Sequence, residues 1–157
     1  MPPGQTLGLV GESGCGKPTV GNLIMRPLKP DTGRLFFRGR DVAELARHKQ
    51  HRAALAKIQA VFQDPQSSLD PRMPVEKIVG YPLLPFHKLP RGERTGKVLE
   101  ILKEVGLGPE HLRRFPHEFS GGQRQRIGIA RALVVEPEFI VFDEPTTGLD
   151  PLLSDQV

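Results

Sequence analysis

A glycine-rich stretch near the N-terminus constrains the fold of this chain more than any other feature. Residues 11–19 read Gly-Glu-Ser-Gly-Cys-Gly-Lys-Pro-Thr, after an apolar run at residues 6–10 and before a helix-forming run at residues 20–25. A strand, a glycine-rich loop and a helix in this order are typical of a phosphate-binding loop. Its consecutive backbone N–H groups surround an anion at the positive end of the helix. The sequence therefore predicts such a loop, with Lys17 supplying a mobile positive charge.

One position of this loop departs from the phosphate-binding pattern. The pattern G-x-x-x-x-G-K-[ST] places a hydroxyl after the lysine to bind magnesium, and this chain has Pro18 there. Proline also lacks an N–H group and disfavours helical geometry at the preceding Lys17. Thr19 does not replace the hydroxyl, because one residue is a rotation of about 100° around a helix. Since proline is tolerated in a first helical turn, we expect the fold to survive and magnesium-dependent binding to weaken.

Short apolar runs alternate with amphipathic segments along the rest of the chain. The predicted strands span residues 6–10 (with Leu7, Leu9 and Val10 buried), 34–38, 58–62 and 138–142. The predicted helices span residues 20–26, 41–57, 91–105 and 120–135, with a shorter helix at residues 109–115. This alternation indicates an α/β fold with a parallel sheet. Ligands bind at the carboxyl ends of such strands, which is where residues 11–17, Gln63 and Asp143 lie.

Composition excludes several other classes of protein. At 157 residues, with 38% hydrophobic and 25% charged residues, the chain is typical of one globular domain. Its single cysteine, Cys15, excludes an internal disulfide and a cysteine-rich zinc site. No apolar run approaches the roughly 18 residues of a membrane span, and the N-terminus lacks the features of a signal peptide. The net charge of +4 suits nucleic acid, phosphate ligands or an anionic membrane, and equally a basic surface without a specific partner.

Asp143 and Glu144 follow the apolar run Phe-Ile-Val-Phe at residues 139–142. The first carboxylate is suited to hold magnesium, which prefers oxygen ligands. The second is suited to orient or deprotonate a water molecule that attacks a phosphate. Two acids after a strand are also compatible with a helix cap or a plain turn, but the upstream glycine-rich loop favours the functional interpretation.

The stretch Ser120-Gly121-Gly122-Gln123 is the predicted start of a helix. Ser120 is a suitable N-cap, and the two glycines are compatible with nothing more than a tight turn. The same arrangement is also a second anion site, built on exposed N–H groups and the positive helix end. Glycine costs roughly 1 kcal/mol in a helix, and this cost suggests that a ligand approaches the backbone closely.

Motifs in a fixed order resemble those of the ATP-binding cassette (ABC) ATPases. The corresponding segments are the Walker A loop at residues 11–19, the signature at 119–126, the Walker B strand at 141–145 and the D-loop at 148–150, which includes Asp150. Gln63 resembles the Q-loop glutamine. Residues 62–73 and 114–118 are similar to the corresponding segments of the oligopeptide/dipeptide importer branch. Nickel and glutathione importers also belong to this branch. The resemblance implies a P-loop NTPase fold with a parallel core sheet at residues 1–63 and 121–157 and a helical subdomain at about 64–120.

The resemblance also implies a role for each motif. The implied ATP-binding residues are Gly11, Glu12, Ser13, Gly14, Cys15, Gly16, Lys17, Pro18, Thr19 and Gln63. The implied residues that face ATP bound to a second subunit are Ser120, Gly121, Gly122 and Gln123. Asp143 and Gln63 are the implied ligands of Mg²⁺, Glu144 the catalytic base, and Lys17 the cation on the phosphates.

In this family two ATPase subunits, identical or paralogous, form a head-to-tail dimer. The resemblance further implies a membrane permease that contacts the helical subdomain and the Q-loop, which places the chain in the cytoplasm at the inner face of the cell membrane. We expect no nucleic-acid partner, since no aromatic platform accompanies Arg124, Arg126 and Arg131. These arginines are expected on a solvated or interface face of their helix.

Two departures from the family pattern leave an alternative open. Besides Pro18, the chain has no counterpart of the earlier strand that carries an adenine-stacking aromatic residue, nor of the later strand with the switch histidine. We therefore expect a partial domain, as a fragment, a truncated frame or a degenerate copy. The main hypothesis is the ATPase subunit of a peptide importer, and the alternative is a nucleotide-binding chain without hydrolysis. A cassette acting on DNA or ribosomes is disfavoured, because those relatives carry insertions or tandem cassettes.

Overall fold

The computed structural model describes residues 2, 4–25, 28–47, 52–62, 68–84 and 89–143, with only the backbone at residues 52 and 53. The helices are α1 (Lys17–Met25), α2 (Val42–Arg47), α3 (Arg52–Leu55), α4 (Val75–Gly80), α5 (Arg91–Glu104) and α6 (Gly121–Leu133). The strands are β1 (Phe36–Phe37), β2 (Arg40–Asp41), β3 (Ile58–Val61) and β4 (Phe139–Phe142). Short 3₁₀ helices cover Tyr81–Leu83, Pro109–His111 and Pro116–Glu118.

The strands β3 and β4 pair in parallel. Ile58 lies opposite Phe139 and Val61 opposite Phe142, and the ladder continues as Asp143 N donates to Val61 O at 3.0 Å. Both α1 and α6 pack against β3. These two strands confirm the predicted parallel sheet, whose apolar runs are the kind that helices cover.

The helices α4, α5 and α6 pack on one another around a second apolar core. Val98 and Leu102 of α5 are fully buried there, and Ile101 packs against the same core, as their helical spacing predicts. From α6, Ile127 and Ala130 contribute fully buried side chains. Because α6 contacts both this core and β3, it joins the helical layer to the strand layer. The division into a core and a subdomain at residues 64–120 stays a prediction.

A tight antiparallel hairpin joins β1 to β2. Its two turn residues, Arg38 and Gly39, have φ angles of +51° and +71°, the positive values that a two-residue type I′ turn requires. The strand β1 is shorter than the predicted strand at residues 34–38. After the hairpin, Asp41 Oδ1 accepts a hydrogen bond from Ala43 N at 2.7 Å and caps α2.

The predicted strand at residues 6–10 was wrong. Residues 5–12 join no ladder, and Leu7, Leu9 and Val10 are 56–94% exposed instead of buried. A strand exists only through hydrogen bonds to a neighbour, and among the described residues no strand pairs with this segment. Apolar alternation therefore identified an extended segment without identifying a partner for it.

Two helix predictions also differ from the structure. The helix expected over residues 41–57 is α2 followed by α3, with residues 48–51 outside the described chain. The helix α3 ends before Lys57. The Lys57 carbonyl accepts hydrogen bonds from Glu138 N and Phe139 N at the start of the parallel ladder, so it is not available to a helix. The helix α4 was missed, because six residues that are largely buried show no amphipathic period.

We predict that the second core depends on Leu83 and not on its neighbour Leu84. Leu83 is 0% exposed and Leu84 is 53% exposed, so the two residues form a matched pair. Leu83→Ala is expected to lower the free energy of unfolding by about 2–5 kcal/mol, and Leu84→Ala by less than about 0.5 kcal/mol. Urea denaturation measures both changes. Equal effects of the two variants would contradict the packing described here.

Candidate functional site

The glycine-rich loop folds around the ammonium group of Lys17. Lys17 Nζ donates to Gly11 O at 2.6 Å and to Glu12 O at 2.8 Å, and it lies 3.8 Å from Cys15 Sγ. Cys15 N donates to Glu12 O at 3.3 Å, which closes a turn within the loop. The loop therefore holds a positive charge in a concave backbone segment at the start of α1.

The glycines of the loop are required by its geometry. Gly14 and Gly16 have φ angles of +82° and +94°, which residues with a Cβ rarely adopt. At Gly11 a Cβ atom would lie only 2.6 Å from Cys15 Sγ. The curl of the loop thus depends on Gly14 and Gly16, whereas a Cβ at Gly11 would require the Cys15 side chain to move. The loop leaves residues 11–15 exposed.

Pro18 lies inside the first turn of α1. The helix begins at Lys17, and its first intrahelical bond runs from Val20 N to Gly16 O at 3.1 Å, so the missing N–H group of Pro18 breaks no helical bond. Although proline disfavours helical geometry at the residue before it, Lys17 is the first residue of α1, and the expectation that the fold tolerates Pro18 in this turn is confirmed. Position 18 nevertheless offers no hydroxyl, as the sequence indicates.

Asp143 lies directly beyond the carboxyl end of β4. Its backbone is fixed by the bond to Val61 O, the last residue of β3. The helix α1 packs on the same strand, since a Cβ at Gly21 would lie 3.8 Å from Val141 Cγ1. The strand that carries Asp143 thus supports the helix that begins with Lys17.

The signature segment begins α6 with a reciprocal cap. Gln123 N donates to Ser120 Oγ at 3.3 Å, and Ser120 N donates to Gln123 Oε1 at 3.0 Å. This capping box satisfies two N–H groups at the helix start. Gly121 is exposed, and a Cβ there would have no heavy atom within 4 Å. Packing within the described chain therefore does not require a glycine at this position.

Three arginine side chains donate hydrogen bonds to backbone carbonyls, which was not predicted from the sequence. Arg114 Nη2 donates to Glu118 O, Arg124 Nη1 to Phe119 O, and Arg131 Nη1 to Ser68 O. Burial also lowers the pKa of the Arg131 guanidinium from its usual value. Arg124 and Arg131 are partly buried within the chain, so the expectation of a solvated face was wrong for them, whereas Arg126 is exposed. The alternative of an interface face stays a prediction.

The two halves of the predicted site remain separate within the chain. In the described ranges, no hydrogen bond or ion pair joins residues 120–123 to residues 11–19. Gln63, Glu144 and Asp150 lie outside the described residues. Over the same ranges, no three His, Cys, Asp or Glu side chains lie close enough together to hold a metal ion, and no helix is long and apolar enough to cross a membrane.

Two cavities lie away from the glycine-rich loop. The larger, of about 490 Å³, lies between α4, α5 and the Pro109–His111 helix. Its lining residues are Glu76, Arg91, Thr95, Pro109, Glu110, Leu112 and Arg113. The smaller, of about 150 Å³, is lined by Ile24, Met25, Leu55 and Ile58. The loop itself is an open surface feature that is suited to a phosphate chain more than to an enclosed ligand.

Comparison with curated proteins finds relatives along nearly the whole chain. The oligopeptide transport ATP-binding protein AppF of Bacillus subtilis is 49% identical over 154 residues, which are 98% of this chain and 47% of the relative. The protein OppF of the same organism, also named for oligopeptide transport, is 51% identical over 98% of this chain and 51% of its own length. This chain thus spans about half the length of these relatives.

Comparison with solved structures gives the same fold. The structure of cbiO1 from Clostridium perfringens, part of the ABC transporter complex cbiONQ, has a TM-score of 0.76 and 32% identity over 94% of this chain and 57% of that one. A dimeric ATP-binding cassette in a post-hydrolysis state, bound to ADP and Pi, has a TM-score of 0.76 and 31% identity over 90% of this chain and 61% of that one. The predicted α/β fold of a P-loop ATPase is therefore confirmed. The family model described as ABC transporter matches residues 1–147, so the chain belongs to the ABC transporter family, as part of its ATP-binding component.

Proposed function

We propose that this chain is part of the ATP-binding subunit of a peptide importer, in which ATP hydrolysis by a head-to-tail dimer drives uptake through a membrane permease. The observation that carries this proposal is the Lys17 ammonium group held inside the glycine-rich loop. The relatives named for oligopeptide transport support the substrate class, because they are about half identical to this chain along its length.

The loop fits a polyphosphate by charge and by shape. Its present acceptors for Lys17 are two neutral carbonyls, and a phosphate oxygen forms a stronger, charge-assisted bond with the same ammonium group. The positive end of α1 adds to the attraction for an anion. The remaining residues proposed to contact ATP, including Gln63, follow the motif positions of the sequence.

Glu144 is the proposed base for hydrolysis. It accepts a proton from a water molecule, whose oxygen forms a bond to the γ-phosphorus atom while the bond from that atom to the β–γ bridging oxygen breaks. The bridging electron pair leaves with ADP, and inorganic phosphate is the second product. Lys17 stabilises the negative charge on the phosphates during this transfer.

The residues fit a magnesium ion only in part. The carboxylate of Asp143 at the end of β4 would supply one oxygen ligand, and Gln63 is the second proposed ligand. When bound, Mg²⁺ neutralises phosphate charge. Pro18 contributes no ligand, so fewer protein oxygens are available than the family pattern provides.

A dimer is proposed because the chain carries two separate half-sites. Residues 120–123 begin a helix whose first two positions, Ser120 and Gly121, are exposed, and no hydrogen bond or ion pair joins them to residues 11–19 among the described residues. A structural neighbour is dimeric. In the proposed dimer, each signature segment faces ATP held by the other subunit, with Asp150 at the shared interface. The helical part and Gln63 are proposed to contact the permease at the inner face of the membrane.

We predict that Glu144→Gln abolishes turnover and spares nucleotide binding. The ATPase rate of the dimer is expected to fall by at least about 100-fold, which is the contribution of a general base. Phosphate release measures the rate, and fluorescent-nucleotide titration measures the affinity. Lys17→Ala is the comparison variant, since it is expected to weaken binding itself. An ATPase rate that Glu144→Gln leaves unchanged would remove Glu144 from the mechanism.

The second candidate function is nucleotide binding without hydrolysis, and Pro18 is the observation that favours it. We predict that Pro18→Ser raises the magnesium-dependent affinity for ATP by about tenfold or more, since hydrogen bonds to charged groups contribute about 1.5–3 kcal/mol each. Pro18→Ala is the matched control, because it restores the N–H group and leaves out the hydroxyl.

Isothermal titration with Mg-ATP distinguishes the possibilities. A gain with serine alone identifies the hydroxyl as the missing ligand, and equal gains with serine and alanine identify the N–H group. Tight binding by the native chain, with no gain in either variant, would show that Pro18 is not a defect.

A further inference from the structure

Two consecutive peptide groups immediately before Ser120 are held at both of their polar ends. In the first, Phe119 N donates to Pro116 O at 3.3 Å, and Glu118 O accepts from Arg114 Nη2. In the second, Ser120 N donates to Gln123 Oε1 at 3.0 Å, and Phe119 O accepts from Arg124 Nη1 at 2.7 Å. A peptide group that is bonded through both its N–H and its C=O cannot rotate without breaking a bond. The backbone orientation at Ser120 is therefore fixed before any ligand binds.

The side chain of Phe119 anchors the same segment from within the helical core. Phe119 is 4% exposed. The guanidinium carbon of Arg114 lies 4.6 Å from the centre of its ring, and the ring of His111 lies 5.6 Å away. Phe119 is thus fixed through its ring and through its carbonyl, and Ser120 and Gly121, which follow it, are exposed.

Arg124 is not needed to begin the helix that it belongs to. The capping box between Ser120 and Gln123 already satisfies the helix start, and Arg124 N donates to Ser120 O through the backbone alone. Helical side chains tilt toward the N-terminus, which lets the Arg124 side chain reach back to Phe119. Its Nε atom is buried without a hydrogen-bond partner among the described residues, so the guanidinium makes its carbonyl bond at a cost in solvation.

We infer that Arg124 is a positioning residue for the signature half-site: by holding the Phe119 carbonyl, it fixes the direction in which Ser120 and Gly121 face a nucleotide on the partner subunit. This inference rests on the proposed function, because it assumes that the signature segment contacts ATP across a dimer interface. In this inference Arg124 acts through its hydrogen bond to the Phe119 carbonyl and not through a contact with the nucleotide. Its loss therefore acts on dimer formation and leaves the nucleotide affinity of the single subunit unchanged.

The test uses the full-length protein with the Glu144→Gln substitution, so that ATP is bound without being hydrolysed. Arg124→Ala is expected to reduce ATP-induced dimerisation by about tenfold, measured as the protein concentration at half dimerisation in analytical ultracentrifugation. Monomer affinity for a fluorescent ATP analogue is expected to stay the same, because residues 11–19 are unchanged. Arg124→Lys keeps a cation and a donor and removes the unpartnered Nε, so it is expected to recover most of the dimerisation.

Arg113→Ala is the matched control. Arg113 is an exposed arginine that makes no hydrogen bond or ion pair with the described residues, so its variant is expected to dimerise like the parent. Undiminished dimerisation of Arg124→Ala would overturn the inference. So would a parallel loss of monomer nucleotide affinity and melting temperature, which would show a purely structural role. A parent protein that does not dimerise with ATP would overturn the proposed function, and this inference with it.

Discussion

The parallel pairing of β3 with β4 is the constraint on which the positions of α1 and of Asp143 depend. The bond from Asp143 N to Val61 O extends this pairing by one residue and brings an acid to the carboxyl edge of the sheet. The helix α1 packs on the same two strands, with Gly21 beside Val141, and its first residue is Lys17. A carboxylate suited to magnesium and a cation suited to phosphate thus belong to elements supported by one short ladder.

The helices α4 and α5 both pack against α6. The two ends of α6 have different roles. Its first turn presents Ser120 and Gly121 at an exposed, reciprocally capped end. Near its other end, Arg131 donates to Ser68 O across 63 positions of sequence, and Leu69 beside that carbonyl is buried in the helical core. Ser68, which follows the predicted Q-loop in sequence, is therefore hydrogen-bonded to α6, the helix that begins at the signature segment.

The features predicted correctly from sequence are those with local causes. The strands β3 and β4 follow from uninterrupted apolar runs, α5 from the helical spacing of Val98 and Leu102, and the N-cap of α6 from Ser120, whereas the part of Gln123 in that cap was not predicted. A positive charge within the glycine-rich loop also follows from the motif, and the structure has Lys17 there. The assignment of individual residues to ATP, magnesium and the dimer interface stays a prediction.

The features that were missed from the sequence depend on neighbours that the apolar pattern does not specify. Whether residues 6–10 form a strand is decided by a neighbouring strand, and the apolar pattern contains no information about one. Four of the six residues of α4 are buried, so this short helix shows no amphipathic period in the sequence. The hydrogen bonds from Arg124 and Arg131 to backbone carbonyls were also missed. An arginine on a helix is predicted to be solvated when its acceptor cannot be identified from the sequence.

Cys15 provides a test of whether the loop at residues 11–19 binds the phosphates of ATP, as proposed. Cys15 is the single cysteine of this sequence, it is exposed, and its Sγ atom lies 3.8 Å from Lys17 Nζ. The rate of its alkylation by a small thiol reagent is measured with and without ATP, in the native chain and in Lys17→Ala. ATP is expected to slow alkylation of the native chain, and Lys17→Ala is expected to remove this protection. Alkylation of the native chain at the same rate with and without saturating ATP would show that the loop does not bind the phosphates.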